Sequence, residues 1–303
     1  MRKLFFLFVS LFLLIGCTQA PEVAKKSAFK KLLLWEATKG DSHIYLFGTM
    51  HSAHPLFQKI PPKLAKAIDV SDAVYTEVDM GLMGQVSMVK MMMRNDGKRL
   101  GEVLPKKLYT QLESYILTRN PRFSLKQFDS FKTWSLLSLL VSLDEMVKYP
   151  DNKPFDDIVF AFADSRNKEV GGIEQVEEQA KLFEGFSEEE QISMVRETLQ
   201  SLQKEPELQE VLYRVYIAGD QQKMLKFVDR MMMATVKSKK LQKRLEQTFL
   251  YERNQKMATR IDALVQKNPT KRYLFAFGAM HFLDKRSVLE YLKQMGYSIQ
   301  AVE

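Results

Sequence analysis

YLFGTMH at residues 45–51 and YLFAFGAMH at residues 273–281 write one phrase twice: an apolar run, a glycine, two small or flexible residues and a histidine. The chain has only four histidines, so His51 and His281 are half of them. Imidazole is both a metal ligand and an acid–base group. A single Gly-x-x-His is more often a loop histidine, but two matched copies near opposite ends suggest one site assembled from both. Glu77 and Glu174 have a comparable placement, each following a short apolar run, AVYT and VGGI. Two neutral imidazoles with one or two carboxylates make a first shell for a divalent ion with open positions, able to polarise a carbonyl or activate a water. Manganese, cobalt and zinc are all compatible with those donors. His54 is near enough in sequence to be a spare ligand, although a surface loop suits it better, and His43 falls outside the site.

These residues meet only if the elements carrying them lie side by side. Residues 32–37 and 43–47 around Lys39-Gly40-Asp41 read as a β-hairpin, and 72–78, 169–173, 273–277 and 297–302 as further strands. Helices are expected at 61–68, 102–119, 128–148, 156–165, 187–203, 206–217, 220–236, 238–267 and 287–295. The alternation predicts an α/β fold: a mixed β-sheet covered by helices, with helical insertions at about 80–155 and 180–260 forming a lid. Ligand crevices in open α/β sheets lie beyond the carboxyl ends of the strands. Four strands ending in His51, Glu77, Glu174 and His281 would converge there. Gly48 and Gly278 are expected to turn the chain out of its strands at angles other residues resist. The methionine clusters, 88 with 91–93 and 231–233, read as helix core, or as a soft apolar wall beside the site; adjacent methionines point in different directions and cannot share one ion.

Residues 1–17 read as an address. Arg2 and Lys3 precede an apolar run, and Leu14-Ile15-Gly16-Cys17 resembles a bacterial lipobox, which marks Cys17 for lipidation. That stretch is short for a bilayer span of about 20 residues. Residues 18–30 read as a tether and 31–303 as the folded domain. No aspartate follows Cys17, so the expected location is the cell envelope, lipid-anchored to the outer membrane and facing the periplasm where a cell has two membranes. A lone cysteine forms no internal disulfide. With 46% hydrophobic and 27% charged residues the chain is globular. Its net charge of +8 is dispersed, which suits acidic lipid head groups and not nucleic acid.

LWEATKGDSHIYLFGTMHSAH, SDAVYTEVDM, DDIVFAFADSRNKEVGGIEQVEEQ, YERNQKMATRIDAL and YLFAFGAMHFLDKRSVLEYLKQMGYSIQAV together resemble the TraB/GumN family, whose animal members are the Tiki proteases. The resemblance runs from about 32 to 302. It implies a metal-dependent hydrolase fold, related to the erythromycin-esterase and haem-associated lipoprotein groups, with His51, His281 and Glu77 at its centre. Arg253 and Asn254 match the family's Arg-Asn pair, and Glu174 and Gln179 match its Glu-x-x-x-x-Gln stretch. Asp284 stands where the family often has glycine. The expected activity is hydrolysis of short peptides or exported proteins. His51 and His281 would hold the ion with Glu77 or Glu174 as third ligand, the other glutamate would act as base, and Arg253 would steady an oxyanion or orient a carboxylate. The alternative is a non-catalytic lipoprotein that sequesters a peptide or a haem-like ligand.

Overall fold

The computed structural model describes residues 20–303, and all side chains there except those of 232–235. Its strands are β1 (Leu34–Lys39), β2 (Ser42–Thr49), β3 (Ala73–Thr76), β4 (Glu169–Gly172), β5 (Tyr273–Gly278) and β6 (Ser298–Ala301). They form one mixed sheet in the order β4-β3-β5-β2-β1-β6. β1 and β2 are the antiparallel hairpin, turned at Gly40 with φ 57°, a value glycine adopts without strain. β2, β5, β3 and β4 run parallel, so their carboxyl ends share one edge. Thr49 lies opposite Gly278, and Thr76 pairs with Ala276 on one side and Gly172 on the other.

Parallel neighbours need long crossovers, and helices supply them. α1 (Pro62–Val70) joins β2 to β3. α2 (Leu82–Met92), α3 (Leu100–Val103), α4 (Lys106–Arg119), α5 (Ser135–Lys148) and α6 (Phe155–Ser165) lead from β3 to β4. α7 (Val176–Glu184), α8 (Glu188–Lys204), α9 (Leu208–Ala218), α10 (Gln221–Thr235), α11 (Lys239–Glu246) and α12 (Glu252–Lys267) lie between β4 and β5, and α13 (Val288–Gln294) precedes β6. Side chains alternate across a strand. On one face Phe47 meets Phe155 of α6. On the other Phe277 stacks on Phe282, and the Tyr273 hydroxyl donates to the Leu264 carbonyl of α12 at 3.3 Å. β5 is therefore buried on both faces, as its unbroken apolar run requires. The inserted helices build further cores: Leu108, Leu112, Leu139, Leu140 and Leu143 pack with Val195 and Leu199, and Phe186, Met194, Leu241 and Leu245 form a third group.

Several expectations shift for local reasons. The helix expected over 102–119 breaks at Pro105, which lacks an N–H and excludes Leu104 from the helical region (φ −78°, ψ 140°). The helix expected from 128 begins at Ser135, after a 3-10 turn at Leu125–Phe128. The long charged helix over 238–267 is interrupted by a π-turn at Gln247–Tyr251. α2 buries no residue fully, so Met88, Met91 and Met92 are partly exposed rather than core; the side chains of Met232 and Met233 lie outside the described residues. The segment expected to be a tether is held against the domain over its later part. Val23 bridges to Ile60, the Lys30 N–H donates to the Ile217 carbonyl, and Phe29 packs edge-on against Tyr216, an aromatic a free tether would leave in water. The leader and Cys17 lie outside the described residues. Among the described residues no helix is long and apolar enough to cross a membrane.

Candidate active site

β2 and β5 end side by side, and the two Gly-x-x-His turns leave them in the same direction. Neither Gly48 nor Gly278 has a positive φ; Gly278 sits at −50°. The expected reason for glycine is thus corrected. What these positions need is space: a Cβ on Gly48 would lie 3.1 Å from the Ala279 backbone, and one on Gly278 would lie 3.0 Å from Glu77 Oε1 and 3.3 Å from His51 Nε2.

Glu77 follows β3 and is 8% exposed. Its Oε1 accepts the Gly278 N–H at 2.7 Å and lies 3.5 Å from both His51 Nε2 and His281 Nε2. The two imidazole nitrogens can therefore be no farther apart than twice 3.5 Å. His281 is buried, and its Nδ1 meets Asn254 Oδ1 at 2.6 Å. Asn254 Nδ2 donates to the Arg286 carbonyl, which sets the amide so that Oδ1 faces the ring. Nδ1 of His281 is then the protonated nitrogen, and Nε2 presents a lone pair to the Glu77 carboxylate. Foremost because of burial, the His281 pKa falls to about 3, so the ring is neutral.

His51 is held differently. Its side chain is 63% exposed, and Nδ1 lies 2.8 Å from Asp156 Oδ2. That contact is close but off the N–H direction, because Oδ2 takes no well-aligned hydrogen bond. The Asp156 charge, foremost, lifts the His51 pKa well above its usual value. Asp156 stands in the first turn of α6 and accepts the Thr49 hydroxyl through Oδ1. The His51 loop is pinned further along: buried Glu145 of α5 accepts from Ser52, Tyr213 and the Ala53 N–H.

Behind Glu77, Arg253 and Gln179 join it to Glu174. Arg253 Nη2 donates to Glu77 Oε2 at 2.5 Å and to Glu174 Oε2 at 2.7 Å, and Gln179 Nε2 reaches the same two oxygens at 3.1 and 3.0 Å. Burial opposes charge on Glu77, yet Arg253 first and the imidazoles next hold its pKa well below the ordinary carboxylate value. Burial likewise works against Arg253, and the two carboxylates outweigh it and raise its pKa. Arg253 thus orients carboxylates from within the protein rather than facing the crevice. Glu174 is committed through both oxygens to Arg253, a poor arrangement for the base it was expected to be.

The spare-ligand candidate, His54, lies elsewhere. His54 sits among Tyr149, Phe57 and Tyr213, its Nε2 3.7 Å from Glu210, because the 3-10 turn at Pro55–Phe57 carries it into that aromatic cluster. His43 pairs with Glu36 across the hairpin, outside the site as expected. Asp156, Thr49 and Glu145 were not singled out in the sequence. Asp156-Asp157 reads there as an acidic first turn of a helix, and only the fold sets one of the two beside His51.

Two outcomes follow directly. Gly278→Ala places a methyl group between Glu77 and His51, and Glu77 cannot retreat from Arg253 and Gln179; a loss on the order of 10²-fold in kcat/KM with little change in Tm is expected from steady-state kinetics and calorimetry. Asp157 next to Asp156 has a buried Oδ1 with no hydrogen-bond partner, and burial, aided by the Asp156 charge, raises its pKa to about 7. A carboxyl raised in the folded state stabilises while it is protonated, and that stability is lost as pH rises toward about 7. Asp157→Asn should therefore match the wild-type Tm near pH 4 and exceed it increasingly up to about pH 7, measured as a Tm–pH profile.

The arrangement can be tested for fit to a divalent ion. Among the described residues, no three His, Cys, Asp or Glu side chains close into a ready cage. The donor chemistry is nevertheless right. A lone pair of His281 faces a carboxylate oxygen of Glu77 at 3.5 Å with no proton between them, and two ligands on one tetrahedral ion with bonds of about 2.0–2.2 Å stand roughly that far apart. Formal charge agrees: with His51 deprotonated to serve as a ligand, Glu77, Glu174 and Asp156 carry three negative charges against the one positive charge of Arg253, an excess that a dication cancels. Asn254 and Asp156 on the far nitrogens of the two rings are the outer partners that ligating histidines require.

Comparison with known proteins places this geometry in context. The profile of the TraB/PrgY/gumN family matches residues 33–301. Human metalloprotease TIKI1 is 26% identical over 330 residues, covering 94% of this chain and 64% of its own. Metalloprotease TIKI2 of Danio rerio is 26% identical over 301 residues, covering 84% and 58%, and the metalloprotease TIKI homolog of Nematostella vectensis is 25% identical over 305 residues, covering 86% and 64%. The chain thus spans under two thirds of the length of these relatives. No solved structure matches it significantly.

Proposed function

This chain belongs to the TraB/PrgY/gumN family, and from that premise we propose that it is a metal-dependent peptidase of the cell envelope, with His51, His281 and Glu77 as the residues that would hold a divalent ion. The observation that carries this reading is the bare Nε2 of buried, neutral His281 aimed at Glu77, two acceptors that only a cation or a proton reconciles. The relatives named as metalloproteases support it at the level of the family. When bound, the ion would polarise the scissile carbonyl and make water a stronger nucleophile.

The chain's own groups do the positioning. Asn254 keeps the His281 proton on Nδ1, and Asp156 holds His51 by its charge. Arg253 and Gln179 fix the Glu77 carboxylate from behind, and the Gly278 N–H holds its front oxygen. His51, the exposed member, faces the side from which a peptide enters. Substrates are short peptides or segments of exported proteins, and the lipobox-like leader supports anchoring through Cys17 to an outer-membrane leaflet.

The test is elemental analysis of the purified protein beside His51→Ala/His281→Ala, joined to peptide turnover with and without chelator. About one divalent ion per wild-type chain is expected, with none in the double variant, and turnover that stops on chelation and returns with metal. Equal metal in both proteins, or turnover indifferent to chelator, overturns the reading. Peptide binding that survives chelation without any product would instead make the chain a sequestering lipoprotein.

A further inference from the structure

The elements that carry the site also wall a cavity. Phe183 stands one helical turn beyond Gln179 on α7. Phe249 stands one turn before Arg253, whose Nη1 donates to the Phe249 carbonyl at 3.2 Å. Met280 precedes His281. All three line one cavity of about 320 Å³. Its walls come from α5, α7, α8, α10, α11, the π-turn and the turn after β5, and three of its lining residues stand within four positions of Gln179, Arg253 and His281. The size is at the low end of ligand sites, about 300–1,000 Å³, which suits a side chain rather than a folded partner.

The lining is largely apolar and rigid. Phe183 stacks on Trp134 with ring centroids 4.8 Å apart, and Phe249 meets Phe183 at 4.5 Å. The π-turn contributes three consecutive residues, 249–251, to the lining. The charged lining residues are all acidic, Asp229, Glu246 and Asp284, in a chain whose net charge is +8.

We propose that this cavity is the subsite for a bulky apolar side chain of the substrate, adjoining the scissile bond and favouring a positively charged neighbour. The inference rests on the hydrolase reading and adds the substrate class to it. Substrates are then peptides that pair an aromatic or large aliphatic residue with a basic one.

The probes are N-acetyl-Phe-Arg-amide, N-acetyl-Ala-Arg-amide and N-acetyl-Phe-Glu-amide, titrated into the full chain carrying ¹³C-methyl methionine. The Phe-Arg probe should shift the Met280 and Met194 methyl signals and bind on the order of tenfold or more tighter than the Ala-Arg probe, with the Phe-Glu probe weaker. Thr198→Trp fills the cavity from α8 and should erase the Phe-over-Ala preference; Val228→Phe does the same from α10 should the first variant fail to fold. Equal binding of the Phe-Arg and Ala-Arg probes to wild type, or a preference that survives both fillings, overturns the subsite. A second arm reads cut positions in a peptide mixture with metal supplied. Cuts enriched for bulky apolar residues at one fixed position support the subsite. Cuts without that enrichment overturn it and leave the hydrolase reading standing, whereas Phe-Arg binding with no cut anywhere removes the hydrolase and keeps an apolar peptide pocket.

Discussion

Arg253→Met should destabilise the protein by about 3–5 kcal/mol, the range for removing one partner from a buried ion pair. The guanidinium is 11% exposed and lies between carboxylates that are 9% and 4% exposed, each meeting the same Nη2. Without it, Glu77 and Glu174 are left as like charges in a site with little water, and Gln179 alone cannot compensate them. Arg253→Lys keeps the charge but not the fork that reaches both glutamates, so it should recover only part of the loss. Pairing Arg253→Met with Glu174→Gln should recover more, because the stranded like charge is then gone. The pH dependence has a definite sign. The Glu77 pKa is lowered in the folded state, so its stabilisation is present above the ordinary carboxylate value and lost as pH falls through the folded value. The gap between wild type and Arg253→Met is therefore widest near neutrality and narrows in acid. Urea denaturation at pH 7 and pH 3 measures it. A loss below about 1 kcal/mol at pH 7 would mean that the three side chains do not form the buried cluster described.

His281→Ala should lower kcat/KM on the order of 10³-fold or more while costing only about 1–3 kcal/mol of stability. The ring is 5% exposed and neutral, so its loss leaves a small cavity and an unpaired Asn254 Oδ1, not a stranded charge. Catalysis loses far more, since the donor removed is the one whose orientation the protein fixes most tightly. Asn254→Ala is the graded partner to this change: the ring stays, its proton is free to move to Nε2, and metal affinity should fall roughly 10–100-fold rather than vanish. Metal content and single-turnover peptide hydrolysis separate the two variants. Wild-type turnover by His281→Ala would remove His281 from the chemistry and with it the assignment of the crevice as a metal site.

Much of the sheet was legible because its central strands carry unbroken apolar runs that end in glycine or a polar residue, as in YLFAFG of Tyr273–Gly278 and the IYLFG within Ser42–Thr49. Helix breaks were less legible. The π-turn at Gln247–Tyr251 leaves the charge and apolar periodicity of 238–267 nearly intact, since one wider turn adds a single residue to a 30-residue pattern. α2 falls within the helical insertion expected at about 80–155, but the bounds of that helix and the exposure of its methionines were not legible, because none of its residues is fully buried and no apolar stripe marks a face. Within the site, the duplicated Gly-x-x-His pointed to His51 and His281, while Asp156 and Glu145 are hidden in ordinary helical sequence.

The sequence by itself determined which residue types the strands would deliver and that two histidines from opposite ends of the chain belong to one phrase, because strand patterning and turn composition are local properties. Tertiary structure alone decided their partners. Arg253 could as well have formed a helix-surface pair as bridge Glu77 and Glu174; His54 turned into an aromatic cluster; Asp156 came to stand beside His51; and the glycines proved to be there for room, not for backbone angle. Those outcomes depend on contacts between residues tens to hundreds of positions apart, whose energies arise from burial and charge in the assembled sheet edge and from nothing in the neighbouring sequence.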